Sequence, residues 1–325
     1  MASLQADRTE ARLLVAARGG DERAFARLTS PYRRELQLHC YRMLGSLHDA
    51  EDIVQETMLR AWRRLGSFEG RTSLRRWLYT IATNACLNVL ERQPRVALFS
   101  NEQPALATID WLEPYPDTLL PERAHTNPQE RMDLRESVAL AFLSAIQHLP
   151  ARQRAMLLLF DVLGWSVAEV AELLDTSTAA VNSGLQRART KLERRPAPRP
   201  TDEEERVLVE RFVEAWDRVD IQAIVELLRE DAVMAMPPEP VWFDGRDAVG
   251  EFFATVPAEG DLKRITLVPT RANLRPALAA YFNGKAYGLM VFEIAEGQIA
   301  EVVGFADAAS VYDRFGLPER FEEPT

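Results

Sequence analysis

Lysine, cysteine and histidine are all scarce: the chain has three lysines, two cysteines and four histidines in 325 residues. Cys40 and Cys86 stand far apart inside apolar helical patterns, which excludes a disulfide framework and makes them buried, reduced thiols. His39 lies beside Cys40 but has no second pair of ligands nearby, so zinc is excluded and no metal is expected. No glycine-rich loop leads into a helix, so no phosphate-cradling loop and no nucleotide cofactor are expected. No apolar run approaches the ~18 residues of a membrane span; the longest obvious one is Ala155-Met156-Leu157-Leu158-Leu159-Phe160. The opening MASLQADRTEARLL lacks a charged-then-apolar leader, so the expectation is a cytoplasmic protein with no membrane partner. The basic residues are nearly all arginine, with lysine only at Lys191, Lys263 and Lys285. With abundant alanine, that bias is the composition of a GC-rich bacterial genome.

A net charge of −10 argues against nucleic-acid binding until it is divided along the chain. Residues 1–95 carry +5, residues 96–128 carry −4, residues 129–200 carry +2 and residues 201–325 carry −13. The acid is concentrated at the end, so the first two-thirds can still meet a phosphate backbone.

Residues 9–44 read as helices interrupted at Gly19-Gly20 and restarted at Asp21. From Asp49 to Arg95 come two amphipathic helices joined by a short loop. The first opens with Asp49, Glu51 and Asp52, which suit a helix N-terminus. Ile53, Val54, Met58, Leu59, Ala61 and Trp62 recur at helical spacing, while Asp52, Gln55 and Glu56 share the remaining face. That face is either a solvated acidic edge or a docking surface for a basic partner. The second helix starts near Thr72-Ser73 and buries Trp77, Leu78, Ile81, Ala85, Cys86 and Leu90. Its other side presents Arg75, Arg76, Tyr79, Thr80, Thr83, Asn84 and Asn88, and Phe68-Glu69-Gly70-Arg71 precedes it. Aromatics that stack bases beside arginines that hold phosphates are how proteins retain single-stranded nucleic acid.

DAEDIVQETMLRAW followed by FEGRTSLRRWLYTIATNACLNVLER closely resembles region 2 of bacterial sigma-70 factors of the extracytoplasmic-function (ECF) class. The resemblance implies that Asp52, Gln55 and Glu56 meet the β′ clamp helices of core RNA polymerase. It also implies that Phe68, Arg71, Arg76 and Asn84 contact the unpaired −10 element of promoter DNA. This domain spans 9–95.

Residues 96–128 are a proline-rich acidic linker. Helices resume over 129–195, where two short ones around Asp175-Thr176 read as a helix-turn-helix ending in Arg187, Arg189, Lys191, Arg194 and Arg195. LPARQRAMLLLFDVLGWSVAEVAELLDTSTAAVNSGLQRARTKLERR resembles sigma region 4. By that resemblance Ser177, Thr178, Val181, Asn182 and Gln186 face the −35 element. Arg187, Arg189 and Lys191 hold phosphates or the polymerase β flap. The chain departs from many relatives at Asn182-Ser183-Gly184, which lacks a basic residue.

After a stiff hinge at Pro196–Pro200, residues 201–325 change character: helices first, then strand patterns with turns at Asn283-Gly284 and Glu296-Gly297. That order predicts an α+β domain with a curved antiparallel sheet. The layout is similar to the cone-shaped SnoaL-like, nuclear-transport-factor-like fold, which makes a deep pocket. Trp216, Asp217, Trp242, Tyr281, Tyr287 and Phe292 are candidates to line it and to meet a small-molecule ligand, with at least half of the aromatics expected to be core. All four histidines lie outside this domain, and only Asp217, Asp307 and tyrosines remain as acid or base. Regulation is therefore expected of it rather than catalysis.

Together these readings give a multidomain chain, two all-α sigma domains and an α+β cone, acting as an alternative sigma factor whose last domain modulates activity. Two alternatives stay open: a helix-turn-helix regulator with a ligand sensor, and a bifunctional chain with an enzymatic cone domain.

Overall fold

The computed structural model describes residues 2–92, 109, 111–121, 128–192, 201–237, 239, 241–306 and 308–321. The expected hinge at 196–200, most of the linker, His125, Arg194, Arg195 and Asp307 lie outside them. The chain forms two compact units, Met1–Arg95 with Leu120–Ala124 and Leu149–Thr190, and Val96–Leu119 with His125–His148 and Lys191–Thr325.

The first unit is helical. Helix α1 (Ala2–Arg18) stops at Gly19-Gly20, and Asp21 restarts the chain as α2 (Glu22–Leu44). The Asp21 carboxylate accepts the N–H groups of Arg23 and Ala24 at 2.9 and 3.0 Å, satisfying donors that the first helical turn leaves free. Helix α3 (Leu47–Arg64) is capped by Ser46 and buries Ile53, Val54, Thr57, Met58 and Ala61, spaced so that one stripe faces inward. Helix α4 (Leu74–Arg92) buries Leu74, Leu78, Ile81, Ala82, Ala85, Cys86 and Leu90. Helices α2, α3 and α4 close one core, in which Cys40 and Cys86 are fully buried thiols.

The same unit contains the helix-turn-helix. Helix α7 (Ala151–Leu157) continues through a wider turn to Val162, and α8 (Val167–Leu173) and α9 (Thr178–Lys191) follow. Ser166 and Glu169 form a reciprocal capping box at the start of α8. Arg154 of α7 is buried and donates to the backbone carbonyls of Met43 and Leu149, tying α7 to the end of α2.

The second unit is built on a six-stranded sheet in the order β2-β1-β6-β5-β4-β3. The strands are β1 (Leu228–Ala235), β2 (Trp242–Asp244), β3 (Ile265–Ala272), β4 (Arg275–Phe282), β5 (Lys285–Ala295) and β6 (Gln298–Phe305). The expected antiparallel sheet is in fact mixed, because β1 runs parallel to β6. The helix that intervenes between β1 and the later strands allows that pairing, which no hairpin could make. Helices α10 (Asp202–Asp217), α11 (Ile221–Leu227) and α12 (Arg246–Thr255) pack Phe212, Trp216, Ile224, Val249 and Phe253 onto one sheet face.

Helices α5 (Pro128–Val138) and α6 (Leu140–Gln147) belong to this second unit, as does the linker segment up to Leu119. The segment is held at the tip of the β3–β4 hairpin, where Asn273 and Leu274 both take positive φ (56° and 54°). The Asn273 side chain accepts the Tyr115 N–H at 2.9 Å and donates to the Val138 carbonyl at 2.8 Å. Asp117 accepts the Leu274 N–H at 2.8 Å and pairs with Arg271 at 3.2 Å. Buried Glu205 joins Arg135 to Arg271 beside it. Tyr115 and Asn273 are both fully buried, so this part of the expected spacer is packed structure.

Candidate nucleic-acid interface

Helix α3 turns Asp52 and Gln55 outward, with Glu56 half-buried beside them. Asp52 lies 3.8 Å from His48, and Glu56 pairs with Arg60 at 2.6 Å, both one turn apart along the helix. Among these acids sits Leu59, 57% exposed. An uncovered leucine inside an acidic edge is the composition of a docking surface rather than of a solvated face.

Four residues of α4 and its preceding loop were expected to meet unpaired bases, and their placements differ. Arg71 is exposed and paired only loosely with Glu69, and Asn84 is exposed. Phe68 is turned inward, 6% exposed, with its ring 5.1 Å from that of Trp77. It supports the loop and has no free face on which to stack a base, which corrects the expectation. Tyr79 and Thr83, assigned to the polar face, are also buried, because they pack around His39. The Thr83 hydroxyl lies 2.9 Å from His39, and the Tyr79 ring sits 5.1 Å from the imidazole. Burial, with Arg42 and Arg75 adding, pulls the His39 pKa down to about 3, so the ring is neutral.

Arg76 is the most engaged of the four. Its guanidinium meets Glu169 at 2.7 Å and Glu172 at 3.6 Å, both on α8, and lies over the Trp165 ring at 5.2 Å. Bonds from Ser166 hold the Glu169 carboxyl below the usual range, so it is ionised at neutral pH. The residue expected to hold single-stranded DNA is therefore covered by the acidic side of the helix-turn-helix. Sequence reasoning missed this pairing, since nothing local links position 76 to positions 169 and 172.

On α9, Thr178, Asn182 and Gln186 are exposed at intervals of one turn, with Ser177 and Arg187 exposed beside them. The Ser177 hydroxyl caps the helix by accepting the Ala180 N–H at 3.1 Å. Val181 is fully buried with Leu185 and Ala188, so it packs the helix in place and does not face a base, again contrary to expectation. Arg189 is exposed but held by Asp161 through its Nε at 3.1 Å. The absence of a basic residue at 184 has a packing cause: a Cβ there would fall 2.4 Å from the Met156 sulfur.

The second unit carries the cavity candidates. Trp216 and Tyr287 line an apolar cavity beneath the sheet. Asp217 lies at the exposed end of α10, and half-buried Trp242 pairs with Ala235 at the sheet edge; neither lines this cavity. Phe292 and Tyr281 are fully buried core, Phe292 against Phe212 at 5.1 Å and Tyr281 donating its hydroxyl to the Pro318 carbonyl at 3.0 Å. Among the described residues no cluster of side chains is suited to a metal ion, and no helix is long and apolar enough to cross a membrane.

Comparison with known proteins agrees with this division. The sigma-70 region 2 family model matches residues 28–96, the sigma-70 region 4 model matches 139–192, and the SnoaL-like domain model matches 209–302. The chain is similar to the ECF RNA polymerase sigma factor SigG of Mycobacterium tuberculosis, 43% identical over 324 residues that cover 92% of this chain and 86% of that one. It is also similar to SigW of Bacillus subtilis, 29% identical over 53% of this chain and 89% of that one. Among solved structures, the M. tuberculosis ECF sigma factor SigJ shares the fold with a TM-score of 0.61 at 24% identity, covering 89% of this chain and 98% of that one.

Proposed function

The chain belongs to the ECF sigma factors of RNA polymerase, and from that premise we propose which of its residues carry the work. As a sigma factor it brings core polymerase to promoter DNA and directs initiation, which leaves no place for the plain helix-turn-helix regulator. Asp52, Gln55 and Glu56, with Leu59 among them, dock on the β′ clamp helices. Arg71, Arg76 and Asn84 hold the unpaired −10 strand, and Thr178, Asn182 and Gln186 read the −35 duplex while Arg187 and Lys191 hold phosphate or the β flap. The observation that carries this assignment is the exposed acidic edge of α3 with its uncovered leucine. Equilibrium binding of labelled protein to core polymerase tests it; retention of affinity after charge reversal at Asp52 and Glu56 contradicts it.

Arg76 reaches DNA only when it leaves Glu169 and Glu172, so promoter binding separates α4 from α8 in this account. The C-terminal domain modulates that activity by holding the linker through Asn273, and it does so without catalysis. The lining of its cavity supports the second point, since it contains no carboxylate, imidazole or lysine to serve as acid or base. Single-round transcription comparing the full chain with one ending at Arg199 measures the modulation, and equal output from both ends the idea.

A further inference from the structure

The cavity between α10, α12 and the sheet has a volume of about 80 Å³ and opens on one side. Trp216, Phe252 and Phe253 form one wall, with ring centroids 5.5 to 5.7 Å apart from Phe253. Met234, Met236 and Met290 form another, and such unbranched, polarisable side chains adapt to the shape of whatever they touch. Val256 and Tyr287 mark the mouth, 55% and 44% exposed.

The walls offer almost nothing polar. The Trp216 indole N–H is already donated to the Ile265 carbonyl at 3.0 Å, which turns the polar edge of that ring away from the cavity. The Ala280 and Gly288 carbonyls both accept the Tyr312 hydroxyl from outside it. Only the Tyr287 hydroxyl, at the mouth, is left among the lining side chains as a hydrogen-bonding group. A charged or strongly polar molecule would be stripped of water there without compensation.

Gly304 supplies the second observation. It lies in β6 opposite Met290, is buried, and does not take a positive φ, so its backbone does not demand glycine. A Cβ at this position would meet only the Met234 and Met236 side chains, at an ordinary 3.5 Å, so packing does not forbid one either. The missing side chain keeps the cavity open, and glycine within a strand marks such close approaches.

We propose that this cavity is a binding site for a small neutral apolar molecule, the size of a single aromatic ring or a short branched hydrocarbon. It is about half the size of the ~150 Å³ engineered cavity that takes benzene, and its open side lets a ring project toward solvent. The site is independent of the promoter-binding residues, so its test reads binding and not transcription.

The test uses the full-length protein labelled at methionine methyl groups, with toluene as the neutral probe and benzoate as its charged counterpart. Met234, Met236 and Met290 are three of eight methionines, so the remaining signals serve as internal controls. Toluene is expected to shift those three resonances saturably, and benzoate at the same concentration is expected to leave them unmoved. Gly304→Leu should weaken toluene binding at least tenfold, and the milder Gly304→Ala severalfold. Non-saturable shifts with toluene, or equal shifts with benzoate, would overturn the assignment. So would unchanged toluene affinity in folded Gly304→Leu or, if that variant does not fold, in Gly304→Ala.

Discussion

The two units use their polar residues in opposite directions. In the first, Asp52, Gln55, Asn84, Thr178, Asn182 and Gln186 stand on the surface of a helical core and wait for a partner. In the second, the polar groups are spent inside: Asn273, Asp117, Glu205 and Arg135 hold one part of the chain to another, and the cavity walls are apolar. Surface chemistry for a partner constrains residue identity position by position, because an arginine on a phosphate has few substitutes. Internal packing constrains volume and pattern more than identity. That difference separates a module that acts outward from one that governs its own chain.

The strongest way to break the comparison is charge reversal at Asp52 and Glu56. The double variant Asp52→Arg, Glu56→Arg is expected to lose at least a thousandfold in affinity for core polymerase, about 4 kcal/mol. Its melting temperature should hardly move, because the Glu56–Arg60 pair it breaks is exposed and such pairs contribute less than about 1 kcal/mol.

In the second unit the corresponding change is Asn273→Gly. It keeps the positive φ but removes both buried side-chain bonds, leaving the Tyr115 N–H and the Val138 carbonyl without that partner. A loss of about 2–4 kcal/mol in unfolding free energy is expected, together with faster hydrogen exchange at Tyr115. Unchanged exchange there would mean the hairpin tip does not hold the linker.

A smaller effect is expected from pH. His39 has its folded pKa lowered to about 3 by burial, below the ordinary 6.5, so the unfolded chain binds the proton more readily. Stability in the first unit is therefore full above pH 6.5 and falls as pH drops toward 3, by up to about 1.4 kcal/mol per pH unit. Urea melts at pH 7.5 and 5.5 read the difference, and His39→Gln should flatten it. The smallest expected change is in DNA binding: Glu169→Gln with Glu172→Gln frees Arg76 while glutamine still completes the capping box with Ser166. Severalfold tighter binding of a single-stranded −10 oligonucleotide is expected, and weaker binding in Arg76→Ala.

Much of the first unit was legible in the sequence. Asp21, Ser46 and Ser166 announce helix starts, and the spacing of Ile53, Val54, Met58 and Ala61 names the buried stripe of α3. The errors there were of direction. Phe68, Tyr79 and Val181 belong to motifs that touch DNA, but a one-dimensional pattern does not say which motif members support and which reach out. In the second unit the strand and turn order was readable, while the parallel β1–β6 pairing was not, because register between distant strands leaves no local trace. Asn273 was missed although asparagine favours left-handed backbone between two strands, a signal strong enough to have marked the turn. Gly304 carried no signal at all, since its meaning depends on two methionines about 70 residues away in sequence.

The most direct test is run-off transcription from a promoter library with purified core polymerase and this protein. Promoter-specific RNA is expected with the native chain and none with the Asp52→Arg, Glu56→Arg variant. No specific transcript from the native chain, or equal transcript from both, would contradict the account.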